Sequence, residues 1–433
     1  MSKKTVLDNR FPGPNSIFRQ SLPNGITVLA YENFASRTVA IEGFIRAGAL
    51  QEDFTKAGLA SFTADMLLRG TEQYDFARIY ELLEPCGASL DFGGGRHLTQ
   101  FSGYCLVEDF DLILELMVHA LRAPIFPESQ VERMRGQIET GLHIRANDTG
   151  RMANLAFMET LYKNHPYGRS IHGYFETIEQ IKRDDLVSFH NQHYGPQGMV
   201  IGISGAVQSE EIFDKVCNAI GDWSNINQPL HTSVPDMARP SSAIVHVVPM
   251  PDKKQVDLVL GLPGPRRSEP DYLHASLMNT ILGVFGMMGR IGRSVREEEG
   301  LAYHASSHLA GGLGPAPWSV NAGAAPDDVD AVIIGVKREI KRIQRELVPA
   351  NELDDCKSYR IGSLPVGLET NAAVADTLVD MELYELGLDY LQRFPSLIRD
   401  ISAQQVQEAA EKYLTDEDLV IVVAGPLPVS ISG

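Results

Sequence analysis

The sequence predicts an α+β chain made of two similar halves, each a mainly antiparallel sheet with helices packed on one face. Two matching ends, two matching starts and a break between them carry that expectation. Ile181-Lys-Arg-Asp-Asp-Leu186 leads to Tyr194 and then to the apolar run Met199 to Gly205. Ile401-Ser-Ala-Gln-Gln-Val406 leads to Tyr413 and then to Leu419 to Gly425. Each reads as a short helix, a turn and a buried strand that stops at glycine. Between the halves, Asn225 to Pro240 is polar and punctuated by proline, as a linker should be.

The starts agree as well as the ends. The first half opens with two strand-like stretches, Gly25 to Ala30 and Thr38 to Ile45, followed by an apolar helix from Leu59. The second opens with Ala243 to Val248 and Val256 to Gly261, followed by a helix from Tyr272. Similarity recurring at half the chain length is the mark of a duplicated unit. The expected domains are therefore 1–225 and 243–433, with residues 226–242 as linker. A chain of 433 residues is also too long for one compact core.

Composition narrows the function. Apolar residues at 44% and charged residues at 22% are the balance of a folded globular protein rather than a disordered one. A formal charge of −18 repels a phosphate backbone, which argues against nucleic acid as a partner. Cys86, Cys105, Cys217 and Cys356 form no C-x-x-C pair and read as reduced thiols. Met1 to Asp8 holds no apolar leader, and runs such as Leu419 to Val423 are too short to span a bilayer. The expectation is a cytoplasmic protein with no membrane span.

The chain becomes recognisable at Gly58-Leu-Ala-Ser-Phe-Thr-Ala-Asp-Met-Leu-Leu-Arg-Gly-Thr71. This segment resembles the signature helix of the pitrilysin/insulinase family of zinc peptidases, relatives of the mitochondrial processing peptidases. The family helix carries H-x-x-E-H. Two histidines one turn apart hold a zinc ion, and the glutamate between them takes the proton of its water. Here Ser61 and Asp65 stand at the histidine positions and Ala64 at the glutamate. A distant glutamate completes the family's ligand set, and an ungapped alignment places Gly141 there. Glu139, two residues away, points to another side of its helix. Asp65 alone keeps a ligating side chain, and Arg69 four residues on offers it an ordinary helix-surface pair. The resemblance therefore implies no metal and no general base in this chain. Pro124 to Pro127, His165 to Gly173 and Tyr194-Gly-Pro196 extend it along the first half.

The second half keeps what the first has lost. Gly283-Val-Phe-Gly-Met-Met-Gly-Arg-Ile-Gly-Arg-Ser-Val-Arg-Glu-Glu-Glu-Gly-Leu-Ala-Tyr303 is similar to the family's other signature, a glycine-rich turn, a short helix with arginine and then G-L-x-Y. Arg296 and Tyr303 map onto the pair that, in the family, holds the scissile peptide and stabilises the oxyanion. Gly300 should end the helix and let the Tyr303 ring turn back toward the arginine. The plain alternative is a solvated charged face, with Arg290, Arg293 and Arg296 pairing locally with Glu297, Glu298 and Glu299.

With one half of the apparatus missing and the other present, the resemblance implies a subunit that is inert alone. Its partner would be a homologous chain with intact H-x-x-E-H that carries the zinc, and their substrate a peptide. Arg296 and Tyr303 would act in trans. Other readings are an inactive scaffold or peptide-binding subunit, or a separate metal site at His190-Asn-Gln-His193, whose two imidazoles can share a helix face. Gly93-Gly-Gly95 and the turn from Gly283 to Gly292 lack the lysine-serine ending of a phosphate loop.

Overall fold

The computed structural model describes residues 7–229 and 234–426. Residues 230–233 of the expected linker, the first six residues and residues 427–433 lie outside them.

The first sheet contains β1 (Ile17–Ser21), β2 (Thr27–Glu32), β3 (Thr38–Ile45), β4 (Ser89–Gly94), β5 (Thr99–Leu106) and β6 (Val200–Gly205), in the order β1-β2-β6-β3-β5-β4. The second contains β7 (Ile244–Pro249), β8 (Val256–Pro263), β9 (Ala302–Leu309), β10 (Pro317–Ala324) and β11 (Val420–Gly425), in the order β7-β11-β8-β10-β9. Apart from β1 the two plans coincide. In each, one parallel pair, β2–β6 or β7–β11, sits in an otherwise antiparallel sheet. β6 and β11 are the two apolar runs ending in glycine, and both are buried along their whole length. A strand covered on both faces has no reason to alternate, which is why these read as unbroken apolar runs.

Each half packs its own helices on one face of its own sheet. In the first half Phe62, Ile113, Met117, Leu186 and Val216 close over Ile41 and Ile201. In the second, Leu277, Ile281, Val336 and Val406 do the same over Leu260 and Ile421. Paired apolar helix faces and strands of this kind account for most of the stability of such a layer.

The opposite face of each sheet takes a helix from the other half. Thr149–Leu161 crosses β7, β11 and β8, burying Ala153, Ala156 and Phe157 against Val259, Val420 and Val422. Asn371–Leu383 crosses β2, β6 and β3, burying Val374, Leu378 and Val379 against Leu29, Phe44 and Val200. Glycine makes room at both crossings. A Cβ on Gly202 would lie 2.7 Å from the Ala375 carbonyl oxygen, and one on Gly261 would lie 2.7 Å from the Phe157 ring. The halves are thus covalently sequential but packed reciprocally.

Candidate functional site

The helix Leu59–Asp65 begins at Gly58, whose φ of +97° suits glycine. Its first amides are capped from a distance. The buried Glu52 carboxylate accepts from the N–H of Gly58 at 3.1 Å and of Ala60 at 2.9 Å. Burial pushes this carboxyl up to about 7, against the pull of those N–H groups and of Arg169. The helix lies so close to β4 that a Cβ on Gly94 would stand 2.5 Å from Ser61 Cα. Ser61 and Ala64 are buried at this contact, and Ser61 Oγ is 3.4 Å from His172 Nδ1.

Asp65 and Gly141 line one cavity of about 630 Å³. Gly141 is carried by the helix Glu128–Ala146, which also supplies Met134, Gln137, Ile138, Leu142 and Arg145. Glu139 is absent from that wall. Nothing stands within 4 Å of where a Gly141 Cβ would be. Two of the four positions read from the resemblance, Asp65 and Gly141, therefore share a space, while Ser61 and Ala64 are buried outside its lining, and the cavity holds one carboxylate. Among the described residues no group of three or more His, Cys, Asp or Glu is placed to hold a metal. A catalytic zinc takes three protein ligands, so this donor set does not fit one.

The surface pair expected between Asp65 and Arg69 is not formed. The α-helix stops at Asp65 and a tighter turn, Leu67–Arg69, follows, so the four-residue spacing no longer stacks the two side chains. Arg69 instead donates to Gln137 at 3.2 Å and lies 4.8 Å from the centre of the Phe76 ring. Asp65 is left mostly buried, and desolvation pushes its carboxyl up to about 6 although Arg69 pulls it down. Sequence reasoning also missed His172, Arg151 and Asn154, which complete the cavity. His172 lies inside the stretch His165 to Gly173 noted for its likeness, but no spacing rule singled it out.

Arg296 lies on the π-helix Arg293–Glu298, beyond a glycine-rich turn with φ of +64° at Gly286, +77° at Met288 and +69° at Gly289. Gly300 at φ +67° ends the helix, and Tyr303 falls on β9, the order expected from the sequence. The local charge pairs of the plain alternative do not form. Arg290 is buried in a two-bond pair with Glu352 at 2.8 and 2.6 Å, and Glu299 is held by Arg338. The Arg296 side chain makes no hydrogen bond or ion pair among the described residues. Tyr303 is 50% exposed, and its ring lies against Gly323, where a Cβ would meet it at 2.2 Å. Its hydroxyl donates to Asp257 at a long 3.5 Å, and burial and Asp257 both raise its pKa.

Asp257 links the two sites. It also accepts from Thr149 at the start of the helix Thr149–Leu161. That helix carries Arg151 and Asn154 into the Asp65 cavity, and Asn154 donates to Asn321 of β10 at 3.1 Å. The structure thus brings Asp65, Gly141 and His172 together and places Tyr303 one carboxylate away from the helix beside them. Arg296 and Tyr303 do not themselves line the cavity.

The histidines of the alternative metal site serve the core. His190 is buried with Nε2 2.9 Å from the Leu121 carbonyl and stacks on Tyr194, while His193 packs on Phe189. Desolvation lowers the pKa of both, which keeps them neutral.

Comparison with known proteins bears on the family and the fold. Residues 27–173 match the family model "Insulinase (Peptidase family M16)" and residues 180–359 match "Peptidase M16 inactive domain". An uncharacterized zinc protease of Streptomyces coelicolor is 23% identical, over 86% of this chain and 81% of its own. A probable mitochondrial-processing peptidase subunit beta of Arabidopsis thaliana is 24% identical, over 94% of this chain and 78% of its own. Among solved structures, a peptidase M16 inactive domain from Pseudomonas fluorescens superposes with a TM-score of 0.86 at 27% identity. It covers 96% of this chain and all of that one. A protease from Helicobacter pylori, 19% identical with a TM-score of 0.88 and the same coverage, shares the fold. No helix among the described residues is long and apolar enough to cross a membrane.

Proposed function

The chain belongs to the M16, or insulinase, family of peptidases, and from that premise we propose that it is the non-zinc subunit of a two-chain peptidase. One observation carries the reading. The cavity lined by Asp65 and Gly141 has a single carboxylate, whereas in the second half Tyr303 is half exposed and the Arg296 side chain has no hydrogen-bond or ion-pair partner among the described residues. A homologous chain with intact H-x-x-E-H would hold the zinc and the general base, and this chain would complete that site and help enclose the peptide.

Chemistry suits the pair to that task. When water adds to a peptide carbonyl, negative charge gathers on its oxygen. A guanidinium supplies fixed positive charge there and a phenol supplies a directed O–H. The long bond from Tyr303 to Asp257 costs little to exchange for a shorter one to an oxyanion.

A second reading is favoured by the cavity. Met134, Ile138 and Leu142 beside Gln137 and Asn154 could grip an extended peptide, making this chain an inactive scaffold or peptide-binding subunit. One experiment separates the two. Tyr303→Phe and Arg296→Ala are combined with the H-x-x-E-H chain, assembly is checked by size, and cleavage is timed. Removing a donor to the oxyanion should lower kcat by about 10²–10³ with little change in KM. Assembled complexes that cut at the wild-type rate would leave the scaffold reading.

A further inference from the structure

The two sheets differ at one edge. In the first, β1 lies antiparallel along the outer side of β2. In the second, no described strand lies along the outer side of β7. The stretch just before β7 is occupied elsewhere. Val234 and Met237 pack with Tyr162 and Tyr167, Arg266 donates to the Val234 carbonyl at 3.3 Å, and His165 Nε2 is 3.1 Å from the Pro235 carbonyl. Pro235 has no N–H to give a ladder in any case.

β7 reads Ile-Val-His-Val-Val-Pro, with no charged residue, and Ile244 and Val245 are each 39% exposed. Exposed edges are ordinarily guarded by charge, proline or a bulge, and here only Pro249 at the far end does so. Ile244 donates its N–H to Leu419 and Met250 donates to Gly425, at 3.0 and 2.7 Å. Strand alternation then turns the N–H and C=O of Val245 and Val247 toward the open side.

We infer that this edge is an interface where a second copy of the chain pairs its own β7, antiparallel about a two-fold axis. With Val245 of one copy opposite Val247 of the other, four N–H···O bonds close and the two His246 residues face each other at the axis. Local charge at the two ends of β7 favours the arrangement. The turn after β7 carries Asp252, Lys253 and Lys254 and is net basic. The corner beside its start carries Glu417, Asp418, Arg239 and the Asp416–Lys341 pair at 2.6 Å, and is net acidic. Antiparallel pairing sets the basic turn of each copy beside the acidic corner of the other. Because β7 and β9 are opposite edges of the sheet, the interface stands roughly 19 Å from the strand of Tyr303. It therefore leaves Arg296 and Tyr303 open and does not depend on their role.

The full-length chain, without any partner, tests this by sedimentation velocity over a concentration series, with amide exchange on the peptide covering residues 244–249. The expected result is a reversible dimer of the 47.6 kDa chain, with slower exchange of those amides as the dimer fills. Val247→Pro removes a donor that β11 does not use, so the monomer should keep its melting temperature and lose the dimer. Val245→Lys should also abolish it by placing like charges across the axis, and it decides the matter if the proline variant unfolds. A chain that stays monomeric throughout the series, a dimer that survives Val245→Lys, or protection that arises only with an H-x-x-E-H chain would overturn the inference.

Discussion

Asp65 and Gly141 line the same cavity, the first with a carboxyl pushed up to about 6 and the second with open space where a Cβ would stand. Rebuilding the helix residues alone, as Ser61→His, Ala64→Glu and Asp65→His, restores two ligands and a base but not the third ligand. That triple variant should bind zinc poorly and cut no peptide. Adding Gly141→Glu supplies the missing carboxylate from a helical position with nothing within 4 Å to obstruct it. The quadruple variant should hold about one zinc per chain after dialysis, read by elemental analysis. Equal zinc in the triple and quadruple variants would show that position 141 is not where the third ligand belongs. The sequence frame put Asp65 and Gly141 at two positions that the fold brings to one cavity, because a motif fixes spacing and spacing fixes a helix face. It misread the partner of Asp65, since the switch from α-helix to tighter turn after that residue has no proline or glycine to announce it. His172 was illegible for another reason: a lone histidine in a loop has no periodicity to betray what it faces.

At the scale of the element, the helix Leu59–Asp65 depends on a side chain outside it. Seven residues are too few to be helical unaided, and among the described residues its buried amides at Gly58 and Ala60 find their acceptor in Glu52. Glu52→Ala leaves both donors buried and should cost roughly 1–3 kcal/mol in urea unfolding. Glu52→Gln keeps one acceptor, and its effect should change with pH. The folded carboxyl stands near 7, above its usual 4.5, because burial disfavours its charge. Wild-type stability therefore falls as pH climbs from about 4.5 toward 7, where the unfolded chain ionises and the folded one resists. Glutamine carries no such penalty, so the deficit of the variant should shrink between pH 5 and pH 8. A deficit constant with pH would mean that Glu52 is ionised in the fold throughout. Neither this cap nor Gly94, which lets β4 approach Ser61, was visible beforehand. Strands such as Thr38–Ile45 and Val256–Pro263 were, because their apolar runs are long and bounded by turns.

For the whole molecule, the duplicated plan was legible and the exchange of helices was not. Ala153, Ala156 and Phe157 announce an apolar face, but nothing in their spacing says which sheet it will cover. The exchange predicts that neither half is self-sufficient. Residues 1–229 expressed alone would leave Leu29, Phe44 and Val200 without the cover of Val374, Leu378 and Val379. That fragment should bind a hydrophobic dye and aggregate, and co-expression with residues 234–433 should restore a soluble pair. A monomeric, dye-silent fragment would show that the exchanged helix is dispensable.

The same exchange sets a clock on biosynthesis. β6, the last strand of the first sheet, ends at Gly205, but the helix that roofs its outer face ends at Leu383. At ~5–20 residues per second, a ribosome needs roughly 10–35 s to cover that interval. For that time the nascent chain carries a finished sheet with one bare apolar side, a client for whatever chaperone waits at the tunnel exit.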